Sequence, residues 1–380
     1  RAKTQLKTTL VLSNQDITSQ ANQLGFYETI AGDYRYGDRY LVAIDQVTPA
    51  DIQRVAKTYL DPAKRTVGYF EPTATDSSVT PSSSGSSRTV ENFSPGQPVD
   101  PAEVARYLPP ISNKSNPSSQ ELPEQFTLEN GLRVLLLPDS STPLVNLSGW
   151  VDAGSSFDTL DRAGLASLTA ENLLSGTQTK DALTLAKTLD DAGVSLDFGV
   201  RREGVNIDGY ALNDQLPTLI QTLAEVLQQS TFPVEQLDLS RQRSLTDLQE
   251  ELDDPEQLGW RVFRQTIYPQ DHPFYSFPTA ESLSKITQAD VVHFYQTHYR
   301  PDTTILAFVG DFDPQALKAQ LQTVLAPWKA EGSRPVLQYP KLALPDAAKT
   351  INKVIPGKTE AVTYIGYPGI DRQDDRYYAA

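Results

Sequence analysis

No single hydrophobic core can run the length of this chain, because residues 73–121 interrupt it. The portion TDSSVTPSSSGSSR, from Thr75 to Arg88, holds one valine and otherwise nothing apolar, too little burial to offset the entropy of ordering it. Pro95, Pro98, Pro101, Pro109, Pro110, Pro117 and Pro123 follow, and each fixes its own backbone angle and favours an extended neighbour. The chain therefore reads as two packed regions, 1–72 and 122 onwards, joined by a Ser/Pro-rich linker that permits hinged motion.

The two regions share a recipe. Val47 to Phe70 reads as a helix capped by Thr48, with Pro49 in its first turn, Asp51 near its positive end and an apolar face of Ile52, Val55, Ala56 and Tyr59; Asp61-Pro62 stops it, and a strand is expected at Thr66 to Phe70. The same design returns 239 residues later in TQADVVHFYQTHYRPDTTILAFVGD. Thr48 falls on Thr287, Ala50 on Ala289, Asp51 on Asp290, Thr58 on Thr297 and Pro62 on Pro301, without a gap. Such identities in register point to a duplicated unit.

Composition excludes several chemistries. A formal charge of -15, with the acid spread throughout, argues against nucleic acid, which needs clustered Lys and Arg. The absence of cysteine removes thiol catalysis, disulfides and Cys-based metal sites, and is compatible with an exported or periplasmic protein. There is no apolar run long enough to span a bilayer. The start, RAKTQLKTTL, has no Met, apolar signal core or cleavage site, which suggests that residue 1 lies inside a longer protein. His272, His293 and His298 are the only histidines, and the last two, five apart on one helix, do not share a face.

From Gln125 the patterning is α+β. A hairpin (Gln125 to Leu128, a turn at Glu129-Asn130-Gly131, Leu132 to Leu137) precedes a strand from Pro143 to Ala153. A second strand pair is read at Val194 to Val200 and Gly204 to Leu212. Helices follow at Asp214 to Gln229, Pro233 to Leu252 and Pro255 to Ile267. Strands and helices in separate clusters predict one mainly antiparallel sheet covered by helices.

Between them lies GLASLTAENLLSGT, Gly164 to Thr177, helical by the spacing of Leu165, Leu168, Glu171 and Leu174. This stretch resembles the motif helix of the pitrilysin/insulinase family of zinc metallopeptidases, which includes the mitochondrial processing peptidases. There Gly-Leu-Ala precedes His-x-x-Glu-His and Gly-Thr follows; here Gly164-Leu165-Ala166 and Gly176-Thr177 supply the frame. In that inverted motif two histidines ligate zinc and the Glu activates water. Those positions hold Ser167, Ala170 and Glu171, and Asp247 stands about where the family's third ligand, a Glu, would fall. This is a degenerate site, with no catalytic, cofactor-binding or metal residue expected. Ser167 is no substitute nucleophile, since no Gly-x-Ser-x-Gly elbow surrounds it.

The resemblance extends to Leu128-Glu129-Asn130-Gly131-Leu132, Asp253-Asp254-Pro255, His272-Pro273-Phe274-Tyr275, Tyr299-Arg300-Pro301-Asp302 and Gly310-Asp311-Phe312-Asp313-Pro314. It implies repeated α+β domains in two halves that close as a clamshell around a peptide, with zinc in one half only. On that plan residues 1–72 are the end of a first-half domain, 73–121 the linker, 122–335 the non-catalytic peptidase-like domain and 336–380 the start of the last domain. Arg376 and Tyr377 lie too early to be the family's backbone-binding pair. The expected partners are a peptide or unfolded polypeptide and a catalytic half, in the same polypeptide or a partner subunit, that carries the zinc. A structural or assembly protein of the same fold is the alternative.

Overall fold

Alternation of apolar and polar residues gives the second region six strands: β1 (Glu124–Thr127), β2 (Arg133–Pro138), β3 (Leu144–Val151), β4 (Ser195–Val200), β5 (Val205–Leu212) and β6 (Thr304–Gly310). In a computed structural model, which describes residues 1–14, 16–69, 122–342, 346–370, 372 and 374–379, they form one sheet in the order β1-β2-β6-β3-β5-β4. All neighbours are antiparallel except β2 and β6.

Register gathers the fully buried apolar side chains of β2, β6 and the middle of β3 on one face. Val134 pairs with Leu306 and Leu136 with Phe308, Leu147 faces Phe308, and Val151 faces Val205; all are buried. The other face carries Asn146, Ser148 and Asp208, which are exposed. A one-residue slip would exchange the two faces, so the pattern itself fixes the pairing.

Helices α5 (Leu165–Glu171), α6 (Ala182–Ala192) and α7 (Leu216–Gln229) pack against β4, and α7 also against β5. Leu219, Ile220, Leu223 and Val226 of α7 are fully buried, each contributing about 1.5–3 kcal/mol over exposure. Around them stand α8 (Val234–Asp253), α9 (Pro255–Ile267), α10 (Ala280–Lys285), α11 (Gln288–His298) and α12 (Pro314–Leu325). Their ends follow local chemistry: Asp181, Asp254, Thr287 and Asp313 each accept a hydrogen bond from a first-turn N–H.

Residues Arg1–Asp45 belong to the same compact unit as Leu122–Ala380, and Gln46–Glu121 form the other. Helix α1 (Ala2–Leu12) packs on α6. Gly193, left-handed at φ 64° just past α6, meets Thr8 so closely that an added Cβ would sit 2.7 Å from its Oγ1, and Arg1 pairs with Asp190. Helix α2 (Ile17–Phe26) follows, continued by a π turn at Tyr27–Ala31. Helix α3 (Tyr36–Gln46) has no counterpart in the sequence reading; its polar composition hides a face that buries only Ile44, with Lys7 2.7 Å from Asp45.

In the other unit, α4 (Pro49–Tyr59) has the expected Thr48–Asp51 capping box. The strand expected at Thr66 to Phe70 is a correction: residues 66–69 pair with no strand among the described residues. The ladder partner that β2 and β3 provide to β6 is missing there, and β propensity alone does not hold a strand. Phe70 and the linker at 73–121 lie outside the described residues.

Candidate functional site

Helix α5 is short and held from outside its own sequence. Gly164 enters it at φ 104°, with Leu283 2.6 Å from where a Cβ would stand, so the position accepts no side chain. The carboxylate of Asp158, six residues upstream, accepts the N–H groups of Gly164 and Ala166, each at 2.9 Å. It thereby takes the place of a local cap at the positive end of the helix. Burial pushes the Asp158 carboxyl up to about 7, against the pull of those N–H donors. Ser282 on α10 donates to the Ala163 carbonyl at 2.8 Å. At the other end buried Asn172 donates to the Leu168 carbonyl at 2.8 Å and accepts from Ser240 on α8 at 3.4 Å. No short-range capping rule could find Asp158, because it acts across six residues; Asn172 carried no signal beyond its type.

Within this frame the motif positions are one turn apart on α5. Ser167 is half-buried, Ala170 is buried at 3% exposure, and Glu171 reaches the surface. Helix α8 packs across α5 and brings Asp247, itself exposed, within electrostatic reach of Glu171. Crowding around its carboxyl, then the negative charge of Asp247, raise the Glu171 pKa, and Arg243 opposes them. The structure therefore unites the degenerate motif positions with the candidate at the third-ligand position.

These residues do not fit zinc. The only donors are one hydroxyl and two carboxylates that repel each other, with no imidazole. Among the described residues no group of three or more His, Cys, Asp and Glu side chains could hold a metal ion. Two of the three histidines stand in other surroundings. His272 Nδ1 accepts the Phe274 N–H at 3.0 Å. His298 lies between the rings of Phe157 and Phe294, at 4.4 and 4.3 Å, where burial pushes its pKa down to about 4. What α5 and α8 retain is the scaffold of a metal site without its ligand chemistry.

The family model described as "Insulinase (Peptidase family M16)" matches residues 133–269, and "Peptidase M16 inactive domain" matches 285–380. An uncharacterized zinc protease of Mycobacterium bovis is 26% identical over 231 residues, 60% of this chain and 52% of that protein. Subunit 1 of the human mitochondrial cytochrome b-c1 complex is 27% identical over 215 residues, 55% of this chain and 44% of that protein. The chain thus spans about half the length of these relatives. The crystal structure of a peptidase M16 inactive domain from Pseudomonas fluorescens shares the fold, with TM-score 0.55 and 23% identity over 59% of this chain and 55% of that one. With the motif frame, the sheet and two successive family models in agreement, the chain belongs to the pitrilysin, or M16, family of zinc metallopeptidases.

Proposed function

We propose that this chain is mainly the non-catalytic half of a pitrilysin-like endopeptidase. It shapes a chamber for peptides or unfolded polypeptides, while an upstream half or a partner subunit supplies the zinc and the general base. The observation that carries this reading is α5: its frame is kept by Asp158, Gly164 and Asn172, while Ser167, Ala170 and Glu171 stand where zinc chemistry needs His, Glu and His. Helix α4 supports a second, related half. Its exposed Ile52, Val55 and Tyr59 occupy the positions of Val291, Phe294 and His298, and in α11 that face packs on α5. The domain limits at 72, 121 and 335 and an exported location belong to the same proposal.

A non-enzymatic assembly role is the second reading, favoured by the likeness to a cytochrome b-c1 subunit. Zinc measured by elemental mass spectrometry, together with chelator-sensitive hydrolysis of an unstructured peptide, separates the two. The expected result is no zinc and no turnover in this chain, and about one zinc with turnover once the catalytic half is present. Zinc-dependent turnover by the chain alone would overturn the first reading, and a full assembly without zinc would favour the second.

A further inference from the structure

The turn between β4 and β5 is pinned. Gly204 lies against Trp150, 2.3 Å from where a Cβ would stand. The carbonyls of Arg201 and Arg202 accept the N–H groups of Ser155 and Ser156 at 3.0 and 2.7 Å. Arg202, on this turn, and Arg264, in the last turn of α9, are within electrostatic reach of each other. Both guanidiniums lie over the ring of Phe274, at 5.6 and 4.7 Å, and Arg202 also lies over Phe277 at 5.1 Å. Arg264 lies over Tyr268 and Trp260 as well, at 5.4 and 5.5 Å.

Among the described residues neither guanidinium makes an ion pair or a side-chain hydrogen bond. The carboxylates on the adjoining segments do not pair with them. Glu203 accepts the Tyr339 hydroxyl at 2.5 Å, Glu251 faces Arg261 at 3.6 Å, and Asp271 is exposed beside His272. Two like charges that share a half-buried aromatic setting repel, and ring faces alone satisfy no guanidinium N–H. A planar carboxylate satisfies both, since its oxygens match the guanidinium fork and its charge cancels the repulsion.

We infer that Arg202 and Arg264 form a carboxylate-binding site, whose ligand brings an apolar or aromatic group to lie against the surrounding rings. That the carboxylate belongs to a peptide rests on the function proposed above; the site itself does not.

Benzoate and its neutral twin benzamide probe the site in the full chain by calorimetry, with the fluorescence of Trp260 as a local reporter. Benzoate should bind and benzamide should not. Arg202→Gln and Arg264→Gln should each weaken benzoate about tenfold or more, Arg202→Lys and Arg264→Lys should weaken it less, and exposed Lys187→Gln should leave it unchanged. Thermal unfolding confirms that each variant is folded. Equal binding of benzoate and benzamide, or affinity untouched in both Gln variants, would overturn the proposal, as would inorganic phosphate binding while benzoate does not. A short acetylated peptide with a free C-terminus, its amide, and an amidated peptide with an internal Glu then identify the source. Benzoate binding with no response to any peptide would uphold the site and count against the peptide reading.

Discussion

Helices α4 and α11 begin with the same local instructions and meet opposite fates. Both are opened by a threonine whose hydroxyl accepts the N–H of an aspartate three residues on, with that carboxylate reaching back to the cap. Yet α4 buries no residue, whereas α11 buries Val291, Phe294 and Tyr295. The strand after α11 pairs on both sides, with β2 and β3; the stretch after α4 pairs with nothing among the described residues. The cap is therefore a local property that a sequence carries anywhere, while burial and strand formation depend on neighbours.

Paired substitutions test that difference. The largest separation is expected at Phe294, 4% exposed. Phe294→Ala should cost about 3–5 kcal/mol in urea unfolding, and Val55→Ala, at the equivalent position and 43% exposed, about 0.5 kcal/mol or less. Comparable costs would break the comparison.

Next comes His298, whose counterpart is Tyr59. Its pKa is pushed down to about 4 in the folded chain, so the unfolded chain binds the proton more readily. The neutral ring's contribution is complete above the unfolded value near 6.5 and is lost as pH falls toward 4. Relative to His298→Phe, which keeps an aromatic ring in place, the wild type should lose on the order of 2 kcal/mol across that window. Asp158 works in the opposite sense. Its raised pKa favours the folded state in acid, and that advantage fades as pH rises toward 7. The comparison with His298→Phe separates the two groups; Tyr59→Phe should show no such dependence.

The smallest effect concerns the caps. Thr287→Ala should lower global stability by about 1 kcal/mol. Thr48→Ala should instead speed amide exchange within α4 and leave the unfolding of the sheet unchanged, which a protection profile along the chain would show.

The sheet was legible because its signal is periodic. β2, β3, β5 and β6 alternate between a buried and an open face, and α9 runs over the residues that the patterning predicts. The strand after α4 was misread because Thr66 to Phe70 has strand-like residues and no partner. Helix α3 escaped because Tyr36–Gln46 offers a single buried side chain as its signal. At the degenerate site the motif frame was readable from Gly164, Gly176 and Thr177, and the place of Asp247 from the third-ligand spacing that the resemblance implies. Asp158 was not, nor was the meeting of Arg202 with Arg264, because folding alone brings such residues together.

The hold of Asp158 on the first turn of α5 bears on how this family can change. A helix secured by backbone contacts from a neighbouring loop does not depend on the side chains it displays. Serine and glutamate can stand at the ligand positions and alanine at that of the base while the architecture carries on, so catalysis and shape need not be inherited together.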